Sequence, residues 1–346
     1  MNDSLSLPDV LRAALAGVLD GLPPKQATQA VDRLIANYRG TTPTDAPVLR
    51  DRSDVAAYAA YRMPATFEAV RSALDALREA APRWVPGTHV DVGGGTGAAS
   101  WAVSEAWGTQ TSTVLDWAEP ALALGRELAE ASGVPALKTV RWQRSRIGAA
   151  LTVESSDLVT VSYVLKELTE GDRDTLVDQV VQAARGAVVL VEPGTPDGYR
   201  RILAARERLV AAGMRIAAPC PDSGPCPVAG DATNWCHFSA RVSRSSLHRK
   251  VKGGSLPYED EKFAYVVAVR PDVVEAAPAD GRVVRKPQIR KGLVMLELCR
   301  PEGDSGRLGL VHENVSKKRH GELYRAARDA DWGDAWPPPS DSEQRG

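Results

Sequence analysis

No stretch of about 18 consecutive apolar residues occurs in this chain, so no membrane-spanning helix is expected. The opening segment, MNDSLSLPDVLRAALAGVLDGL, has no basic stretch followed by an apolar block. It does not read as a secretory signal, and an amphipathic helix is expected there instead. The cytoplasm is therefore the expected compartment. Nor is the chain a polycation, since 43 Lys+Arg stand against 44 Asp+Glu for a formal net charge of −1. No internal repeat is visible. Cysteine is scarce, with four residues in 346. Thiols stay mostly reduced in the cytoplasm, so four gathered cysteines point to metal more than to disulfides.

What is present is ordinary in bulk and uneven in distribution. Hydrophobic residues make up 43% and charged residues 25%, as in a soluble globular protein, and the length suits two domains or one large core with additions. Between Arg241 and Arg328, however, 19 Lys+Arg stand against 11 Asp+Glu. A basic C-terminal part on an acidic body points to a polyanion-facing surface, against the plainer reading of a solvated face with uneven charge.

Apolar positions recur at helical spacing in VLRAALAGVL, ATQAVDRLIANY and TFEAVRSALDALREA, and prolines punctuate them. Residues 1–85 are therefore expected to be a helical region. From His89 the pattern changes. Short apolar runs (HVDV, STVLD, KTVRW, DLVTVSYV, GAVVLVE) alternate with helical stretches, which predicts a parallel sheet covered on both faces. FAYVVAV (263–269) reads as a late strand of that sheet. The fold class expected is α/β: a doubly wound (Rossmann-like) sheet over 86–272, with a cysteine-rich insertion at 220–236. A small β-rich basic unit over 280–330 follows, with turns at Lys291–Gly292 and around Gly303 and a short helix, GELYRAARDA. Residues 337–346 are expected to be disordered.

DVGGGTG (91–97) follows a predicted strand and opens a predicted helix. Glycines let the backbone turn sharply and approach a ligand, and a helix start adds free N–H groups. Asp116 ends the next predicted strand, where a carboxylate can accept from ribose hydroxyls. A dinucleotide fold would use Gly93, Gly95 and Ala98. The pattern Asp91, Gly93, Gly95, Gly97 matches the methyltransferase loop fully, so S-adenosylmethionine is favoured over NAD. A glycine turn serving only close helix–strand packing is the bland reading. After the fourth strand, SYVLKEL (162–168) lacks the Asn/Asp-Pro-Pro-aromatic motif of nucleic-acid amino methyltransferases. No cysteine lies near to attack a pyrimidine ring. Tyr163, Lys166, Glu167 and Glu192 are polar candidates at the pocket mouth, and no general base is identified.

The cysteines read C-x5-C-x9-C at Cys220, Cys226 and Cys236, with Cys299 far downstream in LVMLELC. Four converging thiolates would hold zinc or an iron–sulfur cluster. Structural zinc sites usually use tighter pairs and the wider loops suit a bulkier cluster, but four soft thiolates suit either, so spacing alone leaves both open. His237 or His248 would be substitute ligands, and Cys299 alone would read as a core cysteine.

The block NWCHFSARVSRSSLHRKVKGGSLPYEDEKFAYV resembles the signature of the methyltransferase-like family associated with the small ribosomal subunit (the Rsm-twenty-two type). AAYAAYRMPATFEAV, DVGGGTG, LVEPGTPDGYRRI, GLVMLELC and YRAARDADWGD extend that resemblance over most of the chain. It implies a class I methyltransferase fold and binding to the small subunit through ribosomal RNA. It also implies a [4Fe–4S] cluster held by Cys220, Cys226, Cys236 and Cys299. Arg241, Arg244, Arg249, Lys250 and Lys252, with Lys317, Lys318 and Arg319, are then the expected phosphate contacts. The expected function is an S-adenosylmethionine-binding methyltransferase acting on small-subunit ribosomal RNA. The alternatives are a catalytically inactive assembly factor that binds ribosomal RNA and a small-molecule methyltransferase with a structural zinc. No membrane partner and no oligomer are expected.

Overall fold

The computed structural model describes residues 6–19, 29, 52–108, 111–243, 256–302 and 306–338. The predicted helix in ATQAVDRLIANY lies outside the described residues, apart from Gln29. The chain divides into two compact units, Met1–Leu74 with Val85–Gly186 and Ala240–Glu261, and Asp75–Trp84 with Ala187–Ser239 and Lys262–Gly346.

The first unit opens with α1 (Leu7–Leu19) and most of α2 (Arg52–Ala80). Val55, Ala59, Met63, Phe67, Val70, Leu74 and Leu77 recur every three or four residues along α2 and are all at most 1% exposed. That buried stripe offsets the helix-breaking cost of Pro64 in its interior. Then come β1 (Thr88–Val92), α3 (Ala98–Trp107), β2 (Thr111–Asp116), α4 (Glu119–Ala131), the short α5 (Pro135–Lys138), β3 (Arg141–Arg144), β4 (Ser156–Ser162) and α6 (Glu170–Ala183). The strands pair in parallel in the order β3-β2-β1-β4. Their apolar runs are buried on both faces, as the near-continuous burial of β1, β2 and β4 shows.

The second unit holds most of β5 (Ala184–Pro193), α7 (Pro196–Ala211), β6 (Arg215–Ala218), the start of β7 (Phe238–Ser243) and most of β8 (Tyr258–Val269). β8 runs antiparallel between β5 and β6. In a dinucleotide-binding sheet the fifth and sixth strands are direct parallel neighbours. The late strand read from FAYVVAV is thus what separates this fold from that one. GTPDG at the head of α7 has a local explanation. Thr195 caps the helix through Gly198 N–H at 3.1 Å, and Pro196 stands where its missing N–H costs nothing.

The C-terminal strands β9 (Arg282–Val283), β10 (Gln288–Arg290), β11 (Leu293–Glu302) and β12 (Arg307–Ser316) form an antiparallel sheet, followed by α8 (Lys317–Asp329). Val283, Val294, Leu296, Leu298 and Val315 pack against Tyr324, Ala327 and Trp336. The predicted turn at Lys291–Gly292 is present, with Gly292 at φ +75°. Gly303 lies outside the described residues, as do residues 339–346 of the predicted tail. Leu296 is 2% exposed at the centre of this small core. Leu296→Ala is expected to lower stability by about 2–5 kcal/mol in urea unfolding, with an unchanged denaturant slope.

Candidate functional site

The glycine loop follows β1 directly. Gly93, Gly95 and Gly97 have φ of +70°, +54° and +82°, values that side chains rarely adopt. The N–H groups of Gly93 and Gly94 donate to Leu115 O at 2.7 and 3.2 Å, which ties the loop to the end of β2. Gly95 differs from its neighbours. Gly93 lies under Val164 and Gly97 under Trp142, whereas a Cβ on Gly95 would meet nothing nearer than Asp116 Oδ2 at 3.9 Å. Its backbone is the approachable part of the loop.

The two acids of the loop have different surroundings. Asp116 accepts from Gly95 N–H (2.9 Å) and Ala118 N–H (2.8 Å). Burial raises its pKa, and those backbone donors oppose the rise. Asp91 is fully buried, and its Oδ1 accepts from the Thr160 hydroxyl at 2.8 Å. Its Oδ2 has no partner. Burial, helped by the charge of Asp116 and opposed by Thr160, pushes Asp91 up to about 7. Behind it stands His89, between Ser112 Oγ (3.1 Å) and Thr160 Oγ1 (2.9 Å), and burial pushes this imidazole down to about 3. Thr160 gives its only proton to Asp91, so the neutral His89 donates from Nε2 and accepts at Nδ1 from Ser112.

Beyond β4 the chain turns at Tyr163, which has φ +61°. Its hydroxyl donates to Glu261 Oε1 at 3.0 Å. The Arg62 guanidinium lies 5.0 Å above its ring and pairs with Glu261 at 3.1 Å. Sequence reading named Tyr163 but gave no role to Arg62 and Glu261, although both lie in the blocks that carry the family resemblance. Lys166 and Glu167 sit exposed in a short 3-10 turn. Glu192 does not serve as an open pocket-edge carboxylate: it is fully buried and paired with Arg201 at 2.7 Å, because a buried charge needs a partner.

In the second unit, Cys220, Cys226, Cys236 and Cys299 all line one pocket of about 690 Å³, part of it open to solvent. None is in a disulfide. Burial pushes the thiols of Cys220, Cys236 and Cys299 up, and charge on the neighbouring sulfurs pushes them further. The four thiols thus share one pocket and influence one another's ionisation. Tyr199 Oη lies 3.3 Å from Cys226 Sγ. Among the described residues, no three His, Cys, Asp or Glu side chains are gathered so as to hold a metal ion as they stand.

Three arginines shape this pocket. Arg206 donates to the carbonyls of Asp222 (3.1 Å) and Gly224 (2.6 Å). Arg282 donates to Pro219 O (3.1 Å), and Arg285 donates to Trp235 O (3.2 Å) and Asn234. They pin the irregular loop that carries three of the cysteines, and they set positive charge beside the sulfurs. His237 does not line the pocket. Its ring stacks on Trp235 and meets Trp332 edge-on, so it is no substitute ligand here. His248 lies outside the described residues.

Of the basic residues expected to meet phosphate, Arg244, Arg249, Lys250 and Lys252 lie outside the described residues. Arg241 pairs with Asp260 at 3.4 Å and lies 4.3 Å above the Tyr258 ring. Lys317, Lys318 and Arg319 are exposed at the start of α8.

A glycine loop after β1, an acid ending β2 and an antiparallel β8 between β5 and β6 define a class I methyltransferase fold. The chain belongs to the family described as mitochondrial small ribosomal subunit Rsm22, whose profile matches residues 52–337. It is 31% identical over 304 residues to the human protein named "Ribosome assembly protein METTL17, mitochondrial". That alignment covers 81% of this chain and 62% of METTL17, so the chain spans less than two thirds of that relative. Solved structures to which it is similar include magnesium protoporphyrin IX methyltransferase (ChlM) from Synechocystis PCC 6803 with bound SAM. That one is 15% identical, covering 78% of this chain and 100% of that one, with a TM-score of 0.41. Another is an O-methyltransferase family protein from Burkholderia thailandensis, 13% identical over 71% and 70% of the two chains, with a TM-score of 0.44. No substrate follows from likeness at that distance.

The buried Asp91 generates a pH prediction. Its folded pKa lies above the unfolded one, so its contribution to stability is present below about pH 4 and is lost as pH rises through about 7. Asp91→Asn is expected to flatten the fall in unfolding free energy between pH 4 and 8, as measured by urea titration at several pH values.

Proposed function

We propose that this chain is a small-subunit-associated protein that binds S-adenosylmethionine at the glycine loop and a [4Fe–4S] cluster at the four cysteines. The family match over residues 52–337 carries the ribosomal part of the reading. The loop fits the cofactor in two respects: the uncovered backbone of Gly95 and the acid at the end of β2. When bound, S-adenosylmethionine supplies an electrophilic methyl group. The chain's part is to hold it against the loop and to position the acceptor at the mouth beside Tyr163.

The thiol pocket fits a cluster by its donor set. Four free thiols lining one pocket are a donor set that an iron–sulfur group uses, and Arg206, Arg282 and Arg285 in the same lining offset the negative charge of four thiolates. Such a group would join β11 to the 220–236 loop across a long stretch of chain, a role that supports folding. Zinc remains the alternative occupant. On anaerobic purification, about four irons and four acid-labile sulfides per chain are expected, with both lost in Cys299→Ser. Stoichiometric zinc without sulfide would overturn the cluster.

A second reading is favoured by the mouth itself. Ser162–Tyr163–Val164 carries no recognised acceptor motif, and Tyr163 is engaged by Arg62 and Glu261. An assembly factor on small-subunit ribosomal RNA that has given up methyl transfer accounts for this. Gly95→Val forces a branched side chain to φ +54°, at a cost of about 1–2 kcal/mol. It is expected to abolish S-adenosylmethionine binding in calorimetry while the fold persists. Loss of small-subunit methylation from labelled cofactor, measured in parallel, supports the enzyme. Unchanged small-subunit association with no methylation by either protein supports the assembly factor.

A further inference from the structure

The exposed cations at the start of α8 have partners that their sequence position does not reveal. Lys317 N–H donates to Gly292 O at 3.0 Å. That bond joins the turn after β12 to the tip of the β10–β11 hairpin. Arg290 and Lys291 at the tip thereby stand beside Lys317, Lys318 and Arg319, and all five are exposed. Neither 288–293 nor 314–320 contains an Asp or Glu. Among the described residues, none of the five makes an ion pair. Five unpaired like charges repel one another, and a polyanion relieves that repulsion.

The sheet behind them is covered by α8 on one face, while the other is closed at the Cys299–Leu310 end, where it packs with Cys220, and open towards the hairpin end. Val294, Leu296 and Val315 point to the α8 side and are buried. On the other side, Arg290, Leu293 and Ser316 form one row across β10, β11 and β12, and Gln288, Met295 and Asn314 form the next. Leu293 and Met295 are half-buried, while Gln288 and Asn314 are exposed. The first acid on this face is Glu297, opposite His312 in the following row.

We infer that this open face, with its basic end formed by Arg290, Lys291, Lys317, Lys318 and Arg319, docks the phosphate backbone of a helical segment of RNA. The inference rests on the small-subunit reading above and adds the hairpin to it. Two rows without Phe, Tyr or Trp offer no platform for stacking unpaired bases, whereas lysines, arginines and amides suit phosphates and sugar hydroxyls. A lipid surface would need apolar side chains at the same edge, where Ile289 is the large apolar residue exposed. The attraction comes from side chains and not from the helix end. His320 Nδ1 accepts from Ser316 N–H at 2.8 Å, and Gly321 breaks the helix just beyond.

The test is binding of the full chain to a short RNA duplex across a salt series, with phosphatidylserine vesicles as a second arm. One variant carries Arg290→Gln and Lys291→Gln. A second carries Lys317→Gln, Lys318→Gln and Arg319→Gln. Thermal melts should match the unaltered protein, because all five side chains are exposed. The slope of log K against log salt is expected to fall by about 1.8 in the first variant and about 2.7 in the second, at about 0.9 per duplex phosphate contact. An unchanged slope in the hairpin variant, with RNA still bound, overturns this surface and leaves the small-subunit reading standing. Stronger binding to vesicles than to RNA through the same residues overturns the occupant. Failure of the unaltered chain to bind RNA overturns both.

Discussion

The second unit depends on one buried cation. Arg282 is 2% exposed and donates to the carbonyls of Pro219 (3.1 Å) and Gly333 (3.0 Å), with Glu79 at 3.3 Å. Segments around residues 79, 219, 282 and 333 meet at this guanidinium. A charge removed from water is tolerated only when its hydrogen-bonding capacity is met. Meeting it fixes where the cysteine loop begins, relative to the strand that carries Cys299, which is paired with Arg282 in the sheet. Arg206 and Arg285 repeat the device further along the same loop. An irregular segment is thus shaped by guanidinium–carbonyl bonds where regular secondary structure is lacking.

The same three arginines explain how thiols whose burial disfavours ionisation could serve as thiolate ligands. Desolvation holds them protonated in the bare protein. A metal cation, were one bound there, would replace the protons, and the neighbouring guanidinium charges favour the thiolate form. The pocket's geometry and its electrostatics therefore have one origin.

In the first unit the governing constraint is a backbone path that glycine alone takes without strain. Three glycines in left-handed conformations carry the chain from β1 into α3, and only Gly95 is left uncovered. Asp91 beneath them is held by the Ser112–His89–Thr160 chain, which spans three strands. That polar thread through a buried sheet keeps one carboxylate in place with one oxygen unsatisfied, an arrangement costly enough to need a purpose.

Much of this was legible in the residues alone. Alternation of short apolar runs with helical periods predicted the strands and helices from His89 onward, because burial on both faces leaves a readable pattern. DVGGGTG and Asp116 marked the sharp turn from β1 into α3 and the acid that accepts from it, because positive φ leaves glycine as the favoured residue. The four cysteines were conspicuous by rarity. Other features belong to tertiary structure alone. Arg62 with Glu261, Arg282 with Pro219 and Gly333, and Lys317 with Gly292 unite residues distant in sequence by single directional bonds, which leave no period and no local composition. Glu192 looked available and is consumed by Arg201, nine residues on, for the same reason. Local sequence determined which segments form strands, helices and sharp turns, since those choices rest on neighbouring residues. Which charges are neutralised, which thiols share a pocket and which cations stand together was decided only when the chain folded, since electrostatic partners are set by distance in space.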